Sequence, residues 1–162
     1  MIELILPLPV TLNKLTHNNR AKNGGKGGRS KTKRAKDWYR DAQYRAMPFV
    51  KGNQAECNQN IMTLAKYWNF GRKAYDLHHL HEDHLDLSYK VEYHYWYAEK
   101  RHKLPRDIFN YEKQLSDFLV DMGFMLDDSF IDDGRVIRAG TDPSNPRVHI
   151  FIEKVNLIID EN

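Results

Sequence analysis

The run LSYKVEYHYWY, residues 87–97, constrains the fold more than any other part of this chain. Leu87, Tyr89, Val91, Tyr93, Tyr95 and Tyr97 fall on one side of an extended backbone, and Ser88, Lys90, Glu92 and His94 alternate with them. A period of two in β-branched and aromatic residues predicts a strand, here read over Leu85–Tyr97. Such a strand must cover its apolar face with other elements. A row of tyrosines also suits base stacking in single-strand binders, but the core face of a sheet is the preferred reading. His94 then belongs on the surface or half-buried.

The other elements are read around this strand. IELILP, Ile2–Pro7, is apolar, ends at prolines and predicts a buried strand. Asn13–Lys36, centred on GGKGG, predicts a long loop, of the kind that is functional or disordered in compact domains. GGKGGRSK lacks the spacing of a nucleotide-binding P-loop, which is rejected. From Lys33 to about Met47, Trp38, Tyr39, Ala42, Arg45 and Ala46 recur at helical spacing, and Pro48 is expected to end the helix. A further helix through Ile61, Leu64, Ala65 and Trp68 is expected to stop near Gly71. Arg135–Ala139 and Arg147–Val155 read as a hairpin around GTDPSNP. The order predicts one α+β domain over residues 1–162, β-(loop)-α-β-α-β-β, with a mainly antiparallel sheet and an insertion around 51–84.

Charge is distributed unevenly. The formal net charge is +3, yet residues 20–36 carry eight Lys or Arg and no acid, which leaves the remainder at −5. A cationic loop on an otherwise acidic chain suits a polyanion, or serves only as a solvated loop. The apolar fraction of 41% supports a core, and the apolar runs are too short for the ~18 residues of a membrane span. A single cysteine, Cys57, excludes an intramolecular disulfide and a CxxC metal motif and agrees with a reducing, cytosolic setting. His78, His79, His81 and His84 lack the pairing and partner cysteines of a structural zinc site. They read as a solvated loop.

Residues 107–122 form the other amphipathic helix. Ile108, Tyr111, Leu115, Phe118, Leu119 and Met122 make its apolar stripe. Asp107 or Asn110 suits the N-cap, and Gly123 suits a left-handed C-terminal turn. Acids then crowd Asp127, Asp128, Asp132 and Asp133 among Leu126, Phe130 and Ile131. Carboxylates beside apolar residues are costly to bury without a cation, and Mg²⁺ takes one or two carboxylates with phosphate oxygens and water. The alternative is an N-cap at one end and a solvated turn at the other. Fifteen helical residues span roughly 22 Å, so Asp107 and Asp128 meet only by one of two routes. Residues 124–128 fold back along the helix, or a second subunit supplies its own Asp128. Lys113, six residues after Asp107, is off its face by strict helical spacing but has a long stem.

Two segments carry a family resemblance. ELILPLPVTLNK and RDIFNYEKQLSDFLVDMGFMLDDSFI resemble the opening strand and the signature of the RusA family of Holliday-junction resolvases. The signature reads D-x-D-N-x-x-K, D-x-L, then an apolar stretch ending in D-D-x-x-I/V. Asp107, Asn110 and Lys113 match its first part, Asp117, Phe118 and Leu119 the middle, and Asp127, Asp128 and Ile131 the end. Phe109 stands where the family has its second aspartate.

The resemblance implies a Mg²⁺- or Mn²⁺-dependent endonuclease of the kind phages and prophages carry, acting in a bacterial cytoplasm in DNA recombination and repair. It would be a homodimer that nicks four-way or branched DNA in pairs, with no membrane and no small-molecule cofactor beyond the metal. Asp107 and Asp128 would bind the metal, Lys113 would stabilise phosphate charge, and Asp127 or Glu112 would compensate for Phe109. Lys100, Arg101, Lys103, Arg106 and Asn110, with Arg29, Lys31, Lys33 and Arg34 of the basic loop, would hold the DNA backbone. Phe109 itself would pack, or stack on an unpaired base. Because of Phe109, the alternative is a catalytically impaired RusA-like junction-binding protein; a third reading is a nuclease of altered substrate.

Overall fold

The computed structural model describes residues 1–10, 16–18, 29–99 and 111–156. Its elements in chain order are β1 (Ile2–Pro7), β2 (Thr16–Asn18), β3 (Arg29–Lys31), α1 (Lys33–Gly52), α2 (Gln54–Lys66), β4 (Trp68–Asn69), β5 (Ala74–Tyr75), α3 (Leu77–Glu82), β6 (Leu87–Tyr97), α4 (Glu112–Asp121), a 3₁₀ turn (Asp128–Phe130), β7 (Ile131–Thr141) and β8 (Arg147–Asn156). The principal sheet has the order β1-β8-β6-β7. β8 runs antiparallel to both β1 and β6, whereas β7 is parallel to β6. The fold is α+β with a mainly antiparallel mixed sheet.

The alternation of residues 87–97 governs the packing. Leu87, Tyr89, Val91, Tyr93, Tyr95 and Tyr97 are all buried. The tyrosine row is therefore core, continued by Val148, Ile150 and Ile152 of β8 and by Leu4 and Leu6 of β1. β1 is an edge strand, and only one of its faces is covered; Glu3 and Ile5 are exposed. Helices α1 and α4 meet over the inner face through Phe118, whose ring takes edge contacts from Trp38 at 5.5 Å and Tyr39 at 5.3 Å. Trp38 Nε1 also donates to the Pro7 carbonyl, 2.9 Å away, tying α1 to the end of β1. Two buried polar groups add specificity. Gln114 accepts from Val10 N at 2.8 Å and donates to Ala35 O, and Ser116 pairs with the Tyr93 hydroxyl at 3.1 Å.

Several sequence expectations need correction. β7 and β8 do not form a hairpin, because β6 lies between them. The strand–helix–strand run β6–α4–β7 is a crossover, and a crossover through a helix gives parallel pairing. The GTDPSNP turn instead carries the chain across the end of β6, where Asp142 N donates to Tyr97 O. Pro48 sits inside α1 rather than at its end. The helix continues one turn because Phe49 and Val50 pack on the core and Asn53 closes it, its backbone and side-chain nitrogens both donating to Phe49 O. α2 buries Cys57, Asn60 and Leu64, not Ile61, and Trp68 belongs to β4. His78, His79 and His81 lie on the short helix α3 rather than in a loop, capped by Asp76. The expected loop of residues 13–36 contains the antiparallel β2–β3 ladder.

The outer sheet face yields a pH prediction. His149 Nε2 accepts from Arg147 Nε at 3.0 Å. Burial, then the Arg147 charge, hold its pKa below the ordinary value, with His94 opposite acting in the same sense and Glu3 against it. The native state thus binds fewer protons at this site than the unfolded chain. The associated stability is full above about pH 6.5, the ordinary histidine value, and is lost as pH falls through it towards the depressed folded value. Melting curves between pH 7.5 and 5 should show His149→Gln losing less melting temperature on acidification than wild type. An identical slope in both proteins would remove the assignment.

Candidate metal and phosphate site

The site is built by the turn that follows α4. Gly123 has φ +79°. Its N–H bonds to Val120 O and that of Phe124 bonds to Leu119 O, both at 2.9 Å. These two bonds form a Schellman closure, which needs a left-handed residue at the glycine position. The turn points the chain back, and the apolar trio Phe124, Met125 and Leu126 drives it into the core at no more than 2% exposure. Leu126 N then donates to the buried Tyr89 hydroxyl. Residues 124–128 thus return along their own helix, one of the two routes named above. Asp128 comes to rest beside the first turn of α4, with its Oδ2 3.1 Å from Lys113 Nζ.

Four carboxylates face the resulting cleft. Asp117 and Asp121 come from α4, Asp127 and Asp128 from the returning turn, and Lys31 of β3 and Val120 complete the wall, enclosing about 270 Å³. Each acid is positioned by a named contact. Lys113 Nζ bridges Asp117 Oδ1 at 2.7 Å and Asp128 Oδ2. Asp121 Oδ2 accepts from the Tyr39 hydroxyl at 2.8 Å. Asp127 Oδ1 accepts from both the backbone N–H and the hydroxyl of Ser129, and that hydroxyl lies 2.7 Å from His81 Nε2. The Asp117 hydrogen bond, then that of Asp128, hold the Lys113 ammonium charged against partial burial. Burial and the Asp121 bond push the Tyr39 phenol well above its ordinary value, so it stays a donor. Lys31 Nζ lies over the Tyr39 ring, 5.3 Å from its centroid, at the rim of the cleft.

The donor chemistry fits a hard divalent cation. Among the described residues, these contacts engage one oxygen of each carboxylate. Mg²⁺ takes carboxylate oxygens together with phosphate and water. Among the described residues, no three His, Cys, Asp or Glu side chains form a metal-binding group, so a cation at Asp127 and Asp128 would draw its remaining ligands from outside them.

The sequence candidates divide into three groups. Asp127, Asp128, Lys113 and Lys31 are brought together at this cleft. Asp107, Asn110, Lys100, Arg101, Lys103 and Arg106, with Ile108 and Phe109, lie outside the described residues. Lys33 and Arg34 are exposed on the first turn of α1, and the backbone of Arg29 lies in β3. Cations on a helix's first turn oppose its dipole, a local cost that a bound anion would remove. Asp132 and Asp133 do not join the cleft. Asp132 is exposed, and Asp133 pairs with Arg135 at 3.0 Å on β7, which holds its carboxyl below the usual range.

Sequence reasoning missed Asp121, Tyr39 and the Ser129–His81 pair. Asp121 carried a signal, four residues beyond Asp117 on the same helix face. It also missed that residues 51–84 brace this turn: Asn60 Nδ2 donates to Gly123 O at 2.8 Å, and His81 stacks on Phe130 at 4.3 Å. Among the described residues no helix is long and apolar enough to cross a membrane. No protein-family model matches this chain, and no curated protein matches it.

Proposed function

We propose that the protein is a divalent-metal-dependent endonuclease of four-way or branched DNA, of RusA type, acting as a homodimer. One observation carries the reading: the chain folds back so that Asp128 stands beside Lys113 and Asp127 in a cleft of carboxylates rimmed by Lys31. Asp128 and Asp127, joined by Asp107, would hold Mg²⁺ or Mn²⁺. When bound, the metal supplies a hydroxide nucleophile at neutral pH and charge stabilisation at the phosphate.

The chain's own residues do the remainder. Lys113, held charged by its two acids, offers its ammonium to the phosphate oxygen on which charge accumulates. Ser129 holds Asp127 through Oδ1, so these contacts leave its Oδ2 for a cation. Lys31, Lys33 and Arg34 approach the DNA backbone from the basic side, a contact independent of sequence and sensitive to salt. A synthetic four-way junction incubated with Mg²⁺ or Mn²⁺ is expected to give paired, symmetric nicks, and none in EDTA. Intact junction under both metals, from protein that shifts the same junction in a gel, would overturn the reading.

A second reading has its own observation. Lys113 already sits between Asp117 and Asp128, so Asp128 has a counter-charge without any metal. Together with Phe109 at the family's acidic position, this favours a junction-binding protein without hydrolysis. Tight binding in EDTA with no cutting under any metal is its signature.

A further inference from the structure

The β4–β5 hairpin presents an unusual combination of side chains. Between Lys66 and Tyr75 the chain carries three cations, Lys66, Arg72 and Lys73, and no acid. Phe70 at the tip is 85% exposed, and Trp68 and Tyr75 below it are also exposed. A large aromatic tip in water is unfavourable by itself, and clustered exposed apolar surface marks an interaction site. The tip is shaped rather than loose. Asn69 Oδ1 accepts from Arg72 N at 2.9 Å, Lys73 takes a left-handed φ of 52°, and Trp68 and Tyr75 meet edge to face at 4.9 Å. Below the tip, Asp76 N bonds to Tyr67 O at 2.8 Å. Asp76, the nearest acid in sequence, pairs with His79 at 2.8 Å and also feels the Arg72 charge, but with Lys66 and Lys73 in the same stretch the tip stays net cationic.

We infer that this hairpin is a nucleic-acid contact in which Phe70 stacks on an unpaired base while Arg72 and Lys73 hold the adjoining phosphates. Aromatic faces accept any base, and flanking cations follow the backbone, which together is the chemistry of single-strand recognition. A protein partner would leave the concentration of charge without a purpose. The choice of nucleic acid rests on the nuclease reading; the geometry of the hairpin does not. Its location suits that reading. From Asp76 the chain runs through α3 to His81, which touches Ser129 beside Asp127 and Asp128. Five helical residues advance about 7.5 Å, so the base of the hairpin lies within a few nucleotides' reach of the acidic cleft. Unpaired bases occur at the branch point of a junction, and a stacking residue there would set which phosphate enters the cleft.

The test is binding in EDTA, where no cutting occurs. Anisotropy of labelled blunt duplex, gapped duplex and oligo(dT) is measured against salt. Phe70→Ala should weaken the gapped and single-stranded DNAs about 5- to 150-fold, the loss expected for one stacked base, and leave blunt duplex unchanged. Phe70→Trp should restore the affinity. Arg72→Ala with Lys73→Ala should reduce the slope of log K against log salt by about 1.5 on single strands, two phosphate contacts' worth. Because Phe70 is exposed, the melting temperature should not move. Phe70→Ala protein that binds all three DNAs as wild type does overturns the inference, as does a wild type without affinity for oligo(dT). The two proposals separate cleanly. Phe70-dependent binding without cutting removes the nuclease alone, and cutting with Phe70-independent binding removes the hairpin contact alone.

Discussion

Replacing Gly123 with alanine is expected to destabilise the protein by about 2–5 kcal/mol, read as a lower urea midpoint. Two costs add. At φ +79° an L-residue meets its own following carbonyl, at roughly 1–2 kcal/mol. The new Cβ would also press on the Cys57 carbonyl oxygen and come within 3.0 Å of Cys57 C and Ile61 Cγ1, all from α2. Backbone cannot swing aside as a flexible side chain does, and overpacking of this kind costs about 1–3 kcal/mol. Gly123→Asn separates the two. Asparagine tolerates the left-handed region but carries the same Cβ, so it should recover only the first part. Since whole domains are stable by about 5–15 kcal/mol, a large fraction of stability depends on this one backbone approach. An unchanged midpoint for both variants would show that α2 does not pack against the turn.

Asp128→Asn is expected to lower nicking of a four-way junction by about 10³-fold or more while leaving the fold intact. The amide keeps the shape of the carboxylate but removes the charge that would hold a metal, and on the proposed nuclease reading several kcal/mol of transition-state stabilisation would depend on that metal. The ion pair lost with Lys113 is partly solvent-exposed, so its contribution to stability is about 1 kcal/mol or less. Asp117→Asn is the control, because Asp117 pairs with the same Lys113 but is not assigned to the metal. It should cut within a few-fold of wild type. Equal, deep losses in both variants would mean that the two acids act only by charging Lys113, and the metal assignment of Asp128 would be withdrawn.

How much of this was legible in sequence depended on the range of the forces involved. The strand at 87–97 and the stripe through Leu115, Phe118 and Leu119 were readable, because burial of one face imposes a local period. Gly123 was readable as a left-handed closure for the same local reason. Pro48 misled: propensity predicts a stop, and the burial of Phe49 and Val50 on the core outweighs it. The hairpin expectation failed because turn residues report a change of direction but not which strand becomes the neighbour.

By itself the sequence determined which residues carry alternating and helical apolar faces, where the chain must turn left-handed, and that six acids and a lysine lie between Asp107 and Asp128 around one helix. Only the tertiary structure decided that β6 separates β7 from β8, that α2 and α3 brace the acidic turn, and that Asp128 faces Lys113 within one chain. Periodicity arises from neighbours a few bonds apart, whereas the meeting of Lys113 and Asp128 follows from burying Phe124, Met125 and Leu126, a contact between segments that no local pattern encodes.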